Sequence, residues 1–330
     1  MGFSSDRVHL PKDGALQVCY TLCPASGSLK NEWLVVHHGI CHTREHFPEL
    51  IEQLNLLGFH VVMIEQLLVG GWLARNSVTM KRHREGMAKA VRAAAEAIRE
   101  RDPNYVIAGY VCHSMGAQIC EEMQQTYETL RYPTVFMAPM PVAGAFWTSI
   151  RILLRHPVDF ARAVVTLSVL TLVKKPERTQ EWFFDSRTPE DIYRRASVEL
   201  RNASFLAFLQ IAFRFIVGLK IVNDKNRKFM LMSATDELFY PWQLKQTRKR
   251  YPQMEEEHLK GGHDFFVQYA VETAEYIRVF FDTLPPAKRD EARRGVAEGV
   301  RPDPAHPMPP VPELGKLGAE RPVREYEGQQ

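Results

Sequence analysis

The chain has 330 residues, 45% of them hydrophobic, and a formal net charge of +3. That length suits one large α/β domain or two smaller ones, and the scattered basic residues exclude a nucleic-acid footprint. Five cysteines (Cys19, Cys23, Cys41, Cys112, Cys120) in no disulfide-framework spacing fit a reducing compartment. The opening Met1-Gly-Phe-Ser-Ser-Asp6 has neither the basic start nor the apolar stretch of a signal peptide, and Asp6 breaks the myristoylation pattern. The longest apolar-leaning run, 163–173, is too short to cross a bilayer. A cytoplasmic protein is the expectation.

The first predicted elements form a hairpin. Arg7-Val-His-Leu10 and Ala15-Leu-Gln-Val-Cys-Tyr-Thr-Leu22 flank Pro11-Lys-Asp-Gly14, whose Asp-Gly pair favours a tight reversal. After a second turn at Pro24-Ala-Ser-Gly27, Trp33-Leu-Val-Val36 is the continuous apolar run of a buried parallel strand. It ends in His37-His38-Gly39-Ile40, and further ionisable groups follow at Cys41, His42 and His46. His42 and His46 are spaced as two zinc ligands on one helix face would be. No second spaced pair and no His-Glu-x-x-His sequence accompanies them, so no metal is expected. An amphipathic helix over 47–57 carries Leu50, Ile51, Leu54 and Leu57 and closes at Gly58. Phe59-His-Val-Val-Met-Ile64 reads as the next buried strand, and Glu65-Gln-Leu-Leu-Val-Gly-Gly-Trp72 as a loop. A long helix over about 79–101 presents Met80, Met87, Val91, Ala94 and Ile98 as its apolar stripe, and Asp102-Pro103 ends it.

The most informative stretch is 104–120. Tyr105-Val-Ile-Ala-Gly-Tyr-Val111 is β-rich, Cys112-His113-Ser114-Met115-Gly116 is a tight turn, and a helix-compatible segment over 117–130 follows. Strand and helix backbones nearly touch at such a turn, so the positions two before and two after the serine must be small. Gly116 meets that demand, and Cys112 is only modestly larger. A serine at the apex has a strained backbone and an Oγ lifted clear of the sheet edge, where free helix N–H groups meet an incipient oxyanion. This arrangement resembles the nucleophile elbow of the α/β-hydrolase fold. The resemblance implies that His38 and Gly39 belong to the oxyanion loop, with the backbone N–H groups of Ile40 and Met115 as the two donors. His113-Ser114-Met115-Gly116 is similar to the His-Ser-Met-Gly of monoglyceride-lipase-like and esterase members, with His113 packing rather than reacting. Loop 65–72 departs from the family pattern of an Asp with a Gly-x-Gly-x-Ser turn: only Gly70-Gly71 remains.

Thr134-Val-Phe-Met-Ala-Pro139 is another strand, after which the alternation of strand and helix stops. Residues 140–226 read as helical and unusually apolar, through Phe146-Trp147, Ile152-Leu-Leu154, 163–173, Trp182-Phe-Phe184 and 205–217. A helix apolar on most faces is buried or covers something apolar. In the resembled fold an insertion at this point is a cap, so 141–225 is expected to be a lid between core segments 1–140 and 226–284. Arg227-Lys-Phe-Met-Leu-Met-Ser233 resumes the sheet and runs into Ala234-Thr-Asp236-Glu-Leu-Phe-Tyr-Pro241, where Asp236 resembles the family's triad acid and Glu237 stands in reserve. A helix over 242–250 and a short strand near Glu256-Glu-His-Leu259 lead to Lys260-Gly-Gly-His263-Asp-Phe-Phe266. The fold keeps its base in such a glycine-flanked loop, ahead of a final helix running to about 283. The interval from acid to base, 263 − 236 = 27 residues, has room for one helix and one strand. Ser114, Asp236 and His263 follow in the family's order. Beyond Pro285 prolines and charges dominate, and 285–330 is expected to be a disordered tail.

The resemblance implies a doubly covered, mostly parallel sheet and a serine hydrolase. Its substrate would be a carboxylic ester with an apolar acyl or aryl group, cleaved through an acyl-enzyme without cofactor or metal. Acyl transfer, thioester cleavage, carbon–carbon bond hydrolysis and perhydrolysis are alternatives on the same fold; a nucleophilic aspartate is disfavoured by Ser114. An alternative of another class is a non-catalytic binder of apolar ligands. A third alternative is membrane-surface contact through the lid, since the run 163–173 ends in Lys174-Lys175 as an interfacial helix would.

Overall fold

Strand residues of this chain are apolar on both sides, and the structure shows why. In this computed structural model, which describes residues 7–26, 31–214 and 226–284, successive strand side chains enter two different cores. In β3 (Glu32–His37), Trp33 and Val35 join one hydrophobic cluster while Leu34 and Val36 join the other. In β4 (His60–Leu68), Val62 and Ile64 are divided from Val61 and Met63 in the same way. A strand buried on both faces belongs to a sheet covered by helices on both sides.

The described residues form an eight-stranded sheet. The opening strands β1 (Arg7–His9) and β2 (Leu16–Cys23) pair antiparallel as the Asp-Gly reversal predicts, with Gly14 at φ +59°. β2 then pairs antiparallel with β4. From β4 onward the neighbours run parallel through β3, β5 (Val106–His113), β6 (Thr134–Met137), β7 (Lys228–Ser233) and β8 (Glu255–Leu259). One cluster packs this sheet against α3 (Met80–Arg101) and α4 (Met115–Thr126), through Met87, Val91, Ile119 and Met123. The other packs it against α1 (Pro48–Leu56) and α12 (Ala270–Asp282), through Leu50, Leu54, Ile277 and Phe281. The expectation of a mostly parallel sheet with helices on both faces is borne out.

Several boundaries differ from expectation. β4 runs four residues past Ile64, because Glu65 and Gln66 continue the ladder opposite Cys19 and Val18. The buried Glu65 carboxylate is met by Arg7 Nη2 at 2.7 Å and by the Arg44 N–H at 3.0 Å, which keeps a charge tolerable in the strand. α2 (Trp72–Asn76) follows the turn at Gly70. α4 starts at Met115, directly at the elbow, and ends at Thr126 before a 3₁₀ turn.

Between β6 and β7 the described residues hold α5 (Phe146–Arg155), α6 (Pro157–Thr166), α7 (Pro176–Phe183), α8 (Glu190–Glu199) and α9 (Phe205–Ala212). The run 163–173 is not one interfacial helix: α6 stops at Thr166, Leu167 turns left-handed at φ +49°, and Val169 and Leu172 are buried in a 3₁₀ turn. No helix among the described residues is long and apolar enough to cross a membrane. After β7 come α10 (Lys245–Arg250), β8, α11 (Phe265–Gln268) and α12, the last two divided at Tyr269 where one helix was expected. The expected tail, 285–330, lies outside the described residues, as do 215–225 of the expected lid. Because β3, β5, β7 and β8 are parallel, the loops after them open on one sheet edge.

Candidate active site

Ser114 sits between β5 and α4 at φ +51°, ψ −120°, a strained conformation for any side-chain-bearing residue. The turn is fastened on both sides: Ser114 N–H donates to the Met137 carbonyl at 3.0 Å, and its own carbonyl accepts from Met140 N–H at 3.2 Å. A Cβ on Gly116 would lie 2.5 Å from the His38 carbonyl oxygen, so the close approach that requires a small residue there is an approach to the His37-His38-Gly39 loop. Gly39 is equally constrained, since a Cβ there would come within 2.8 Å of Ser114 Cβ. Cys112, two residues before the serine, is fully buried with its thiol pKa raised well above the ordinary value by burial first and by Cys120 second.

Asp236 and His263 are brought together. His263 Nδ1 lies 2.8 Å from Asp236 Oδ2, while Asp236 Oδ1 accepts from the N–H groups of Leu238 at 2.7 Å and Phe239 at 2.9 Å. Asp236 is therefore fixed in the β7 loop, and Glu237 points elsewhere, to Arg155 and Tyr240. Burial opposes a charge on His263, but the Asp236 charge and hydrogen bond, with Asp264 adding to them, outweigh it and raise the pKa above the ordinary histidine value. Ser114 Oγ and His263 Nε2 are both buried, and neither makes a hydrogen bond among the described residues.

The loop that carries His263 needs its glycines. Gly261 has φ +95°, and a Cβ on Gly262 would lie 2.5 Å from the Phe184 carbonyl carbon and 2.6 Å from the Phe183 oxygen. The loop is tied to α7 at the same place by Asp264 N–H donating to the Phe183 carbonyl at 2.7 Å. Gly262→Ala is expected to destabilise the protein by about 1–3 kcal/mol, as overpacked sites do. Thermal unfolding of wild type and variant checks this, and an unchanged midpoint would mean that the His263 loop does not press on α7 as described.

In the His38-Gly39 loop, His38 Nδ1 lies 2.8 Å from the Gly39 carbonyl oxygen and its Nε2 accepts the Gln66 N–H at 3.1 Å. Those partners assign the neutral Nδ1–H tautomer, in keeping with a pKa lowered by burial. The Gly39 carbonyl belongs to the same peptide plane as the Ile40 N–H, so His38 orients that N–H. Ile40 N–H and Met115 N–H make no backbone hydrogen bond among the described residues.

Beneath this constellation lies a group whose part the sequence did not reveal. His42 Nε2 lies 2.8 Å from Asp264 Oδ2, and His113 Nε2 lies 3.4 Å from Asp264 Oδ1. His113 packs at 4.8 Å from the His263 ring and edge-on to Phe266. Its pKa is held well below the ordinary value, by burial first and then by His263 and His42. Among the described residues, His42, His113 and Asp264 are the set whose ligand atoms all lie within 4.8 Å, close enough to share an ion. The pairing weighed from spacing was different: His46 turns its Nε2 to the Ala196 carbonyl at 3.2 Å, and burial, then His42, lower its pKa to about 3. Asp264 directly follows His263, and a charged residue inside an otherwise apolar Phe-rich segment was the available signal.

A cavity of about 520 Å³ opens beside Gly39 and Met115. Leu67, Leu68 and Met115 give it an apolar part, while Arg75 and Arg201 stand among charged residues on its wall. With this geometry in hand, likeness to known proteins is informative. The alpha/beta hydrolase family profile matches residues 34–276. Curated proteins give no match. Among solved structures, the chain is similar to a soluble variant of monoglyceride lipase from Saccharomyces cerevisiae in complex with a substrate analog: TM-score 0.59, 15% identity, 84% of this chain and 95% of that one. It is similar to a thermophilic esterase from Thermogutta terrifontis at TM-score 0.58 and 12% identity, covering 84% and 98% of the two chains. A putative aryl esterase from Burkholderia cenocepacia gives TM-score 0.57 and 14% identity, with 84% and 97% covered. At these identities the structures speak for the fold alone, and the family match covers most of the chain: the protein belongs to the alpha/beta hydrolase family.

Proposed function

We propose that the protein is a serine hydrolase that cleaves a carboxylic ester with an apolar acyl or aryl group. The observation that carries this reading is the buried Asp236–His263 pair, 2.8 Å apart, at the sheet edge that bears a strained Ser114. Asp236 holds the His263 tautomer that leaves Nε2 free to take the Ser114 Oγ proton as Oγ attacks the ester carbonyl. The carbonyl oxygen gains charge and is met by the N–H groups of Ile40 and Met115. Protonated His263 then gives its proton to the leaving alcohol, and the acyl group stays on Ser114. A water deprotonated by the same ring attacks the acyl carbon, and the acid leaves as Oγ regains its proton. The helices of 141–214 serve as the lid, with Phe183 and Phe184 against the base loop. Leu67, Leu68 and Met115 support an apolar group in the cavity.

A fluorophosphonate probe tests the nucleophile. Wild type is expected to carry the label on Ser114 by peptide mapping, and an ester panel of increasing acyl length is then expected to show a preference for apolar acyl groups. A folded protein without label on Ser114 sinks the hydrolase reading. A second reading, a binder of apolar ligands without turnover, is favoured by one observation: Ser114 Oγ and His263 Nε2 make no hydrogen bond to each other. In free enzymes such bonds are often long and tighten only with substrate, which keeps catalysis the better reading.

A further inference from the structure

The oxyanion loop and the base loop are joined away from the nucleophile, through a pair that the triad does not use. Asp264 is 1% exposed and His42 3%. His42 Nδ1 lies 2.7 Å from the Ile40 carbonyl oxygen, and its Nε2 lies 2.8 Å from Asp264 Oδ2. Both ring nitrogens therefore face oxygens. A backbone carbonyl only accepts, so Nδ1 carries a proton; a carboxylate only accepts, so Nε2 carries one as well. With Asp264 ionised this is an imidazolium–carboxylate ion pair; the other filling of the same geometry is a protonated Asp264 donating to a neutral ring. An imidazolium offsets the cost of burying a carboxylate next to the base.

Each partner is fixed to a different loop. Asp264 follows His263, and its N–H is held by the Phe183 carbonyl at 2.7 Å. His42 holds the Ile40 carbonyl, and the next residue, Cys41, takes the left-handed φ +63° with its carbonyl accepting from Arg201 N–H at 2.8 Å. The pair spans from the peptide after the Ile40 N–H to the residue after the base.

We propose that the Asp264–His42 ion pair is a positioning clamp that locks the oxyanion loop to the base loop, so that the Ile40 donor and His263 address the same carbonyl. It rests on the hydrolase reading given above. Neither residue touches the reacting atoms. Its loss displaces donor relative to base in the transition state, which falls on kcat; His42 lines the cavity and Asp264 does not, so the split between kcat and KM is read at Asp264. A metal ion at this point is incompatible with the clamp, because it would take the Nε2 lone pair that the ion pair fills with a proton.

The test has two arms. In ¹⁵N-histidine NMR of the full chain, His42 is expected to have both ring nitrogens protonated, and to lose one proton in Asp264→Asn. That variant keeps a hydrogen bond to the neutral ring and so is expected to fold. In ester kinetics, Asp264→Asn and His42→Gln are each expected to lower kcat by about 10–10²-fold, with KM within about twofold in Asp264→Asn, as small misplacements do. The double variant is expected to be no slower than the slower single one, as for residues that act as a unit. A neutral His42 in wild type, an equimolar bound metal by mass spectrometry, losses that add in the double variant, or a loss in Asp264→Asn that falls on KM would each overturn the clamp. Wild type without label on Ser114 defeats the hydrolase reading itself and this one with it; a labelled Ser114 with a neutral His42 defeats the clamp alone.

Discussion

Ser114→Ala is expected to lower kcat for any ester the wild type turns over by about 10⁵–10⁶-fold, the scale on which loss of a serine nucleophile acts. The folded protein should hardly notice. Ser114 Oγ makes no hydrogen bond among the described residues, so its removal leaves no partner unsatisfied. The backbone bonds that hold the elbow, from Ser114 N–H to Met137 and from Met140 N–H to Ser114, do not involve the side chain. Alanine has no easier access to φ +51° than serine, so the strain stays. Thermal unfolding should therefore stay within a fraction of a kcal/mol, while turnover disappears and apolar-ligand binding remains. A binding protein without catalysis would show ligand affinity unaltered by the substitution and no turnover to lose. Turnover that survives in Ser114→Ala would move the chemistry to another residue and remove the nucleophile assignment.

What the sequence made legible follows the range over which the physics acts. The elbow could be read because its pattern is local, a strand, a sharp turn and a helix within one short stretch, although the contact that demands Gly116 is with the His37-His38-Gly39 loop from elsewhere in the chain. The doubly buried strands could be read from continuous runs such as Trp33-Leu-Val-Val36. The end of β4 could not, because Glu65 is polar by type and becomes a strand residue only through Arg7 and the Arg44 N–H, which come from elsewhere in the chain. The His42–Asp264 pair lies 222 residues apart in sequence. Spacing along the chain therefore offered His46 as the partner of His42, when the fold supplies Asp264. Gly262 was seen as a loop glycine, but the reason for it, the carbonyl of Phe183, lies on a helix whose docking no local pattern announces.

Asp236→Asn is expected to act on both rate and pH dependence, and the two together identify His263 as the titrating base. The asparagine keeps the size of the side chain but can donate to Nδ1, which favours the wrong tautomer; a loss of about 10⁴-fold in kcat is the expected scale. The proposed mechanism needs His263 neutral, and its pKa is raised in the wild type because the Asp236 charge and hydrogen bond, with Asp264, outweigh burial. The acid limb of kcat/KM should therefore lie above the ordinary histidine value of about 6.5. Without the Asp236 charge burial is less opposed, so the limb of the residual activity moves to lower pH. Stability follows the same linkage. A histidine whose folded pKa is raised contributes stability that is fully present below its unfolded pKa and is lost as pH rises through the folded one. The variant should thus fall furthest below wild type in mildly acid solution, and the difference should narrow as pH rises past the His263 pKa. An acid limb that stays in place in Asp236→Asn would show that His263 is not the group whose ionisation limits the reaction. The base would then have to be sought among neighbours that the structure holds neutral, His113 first among them.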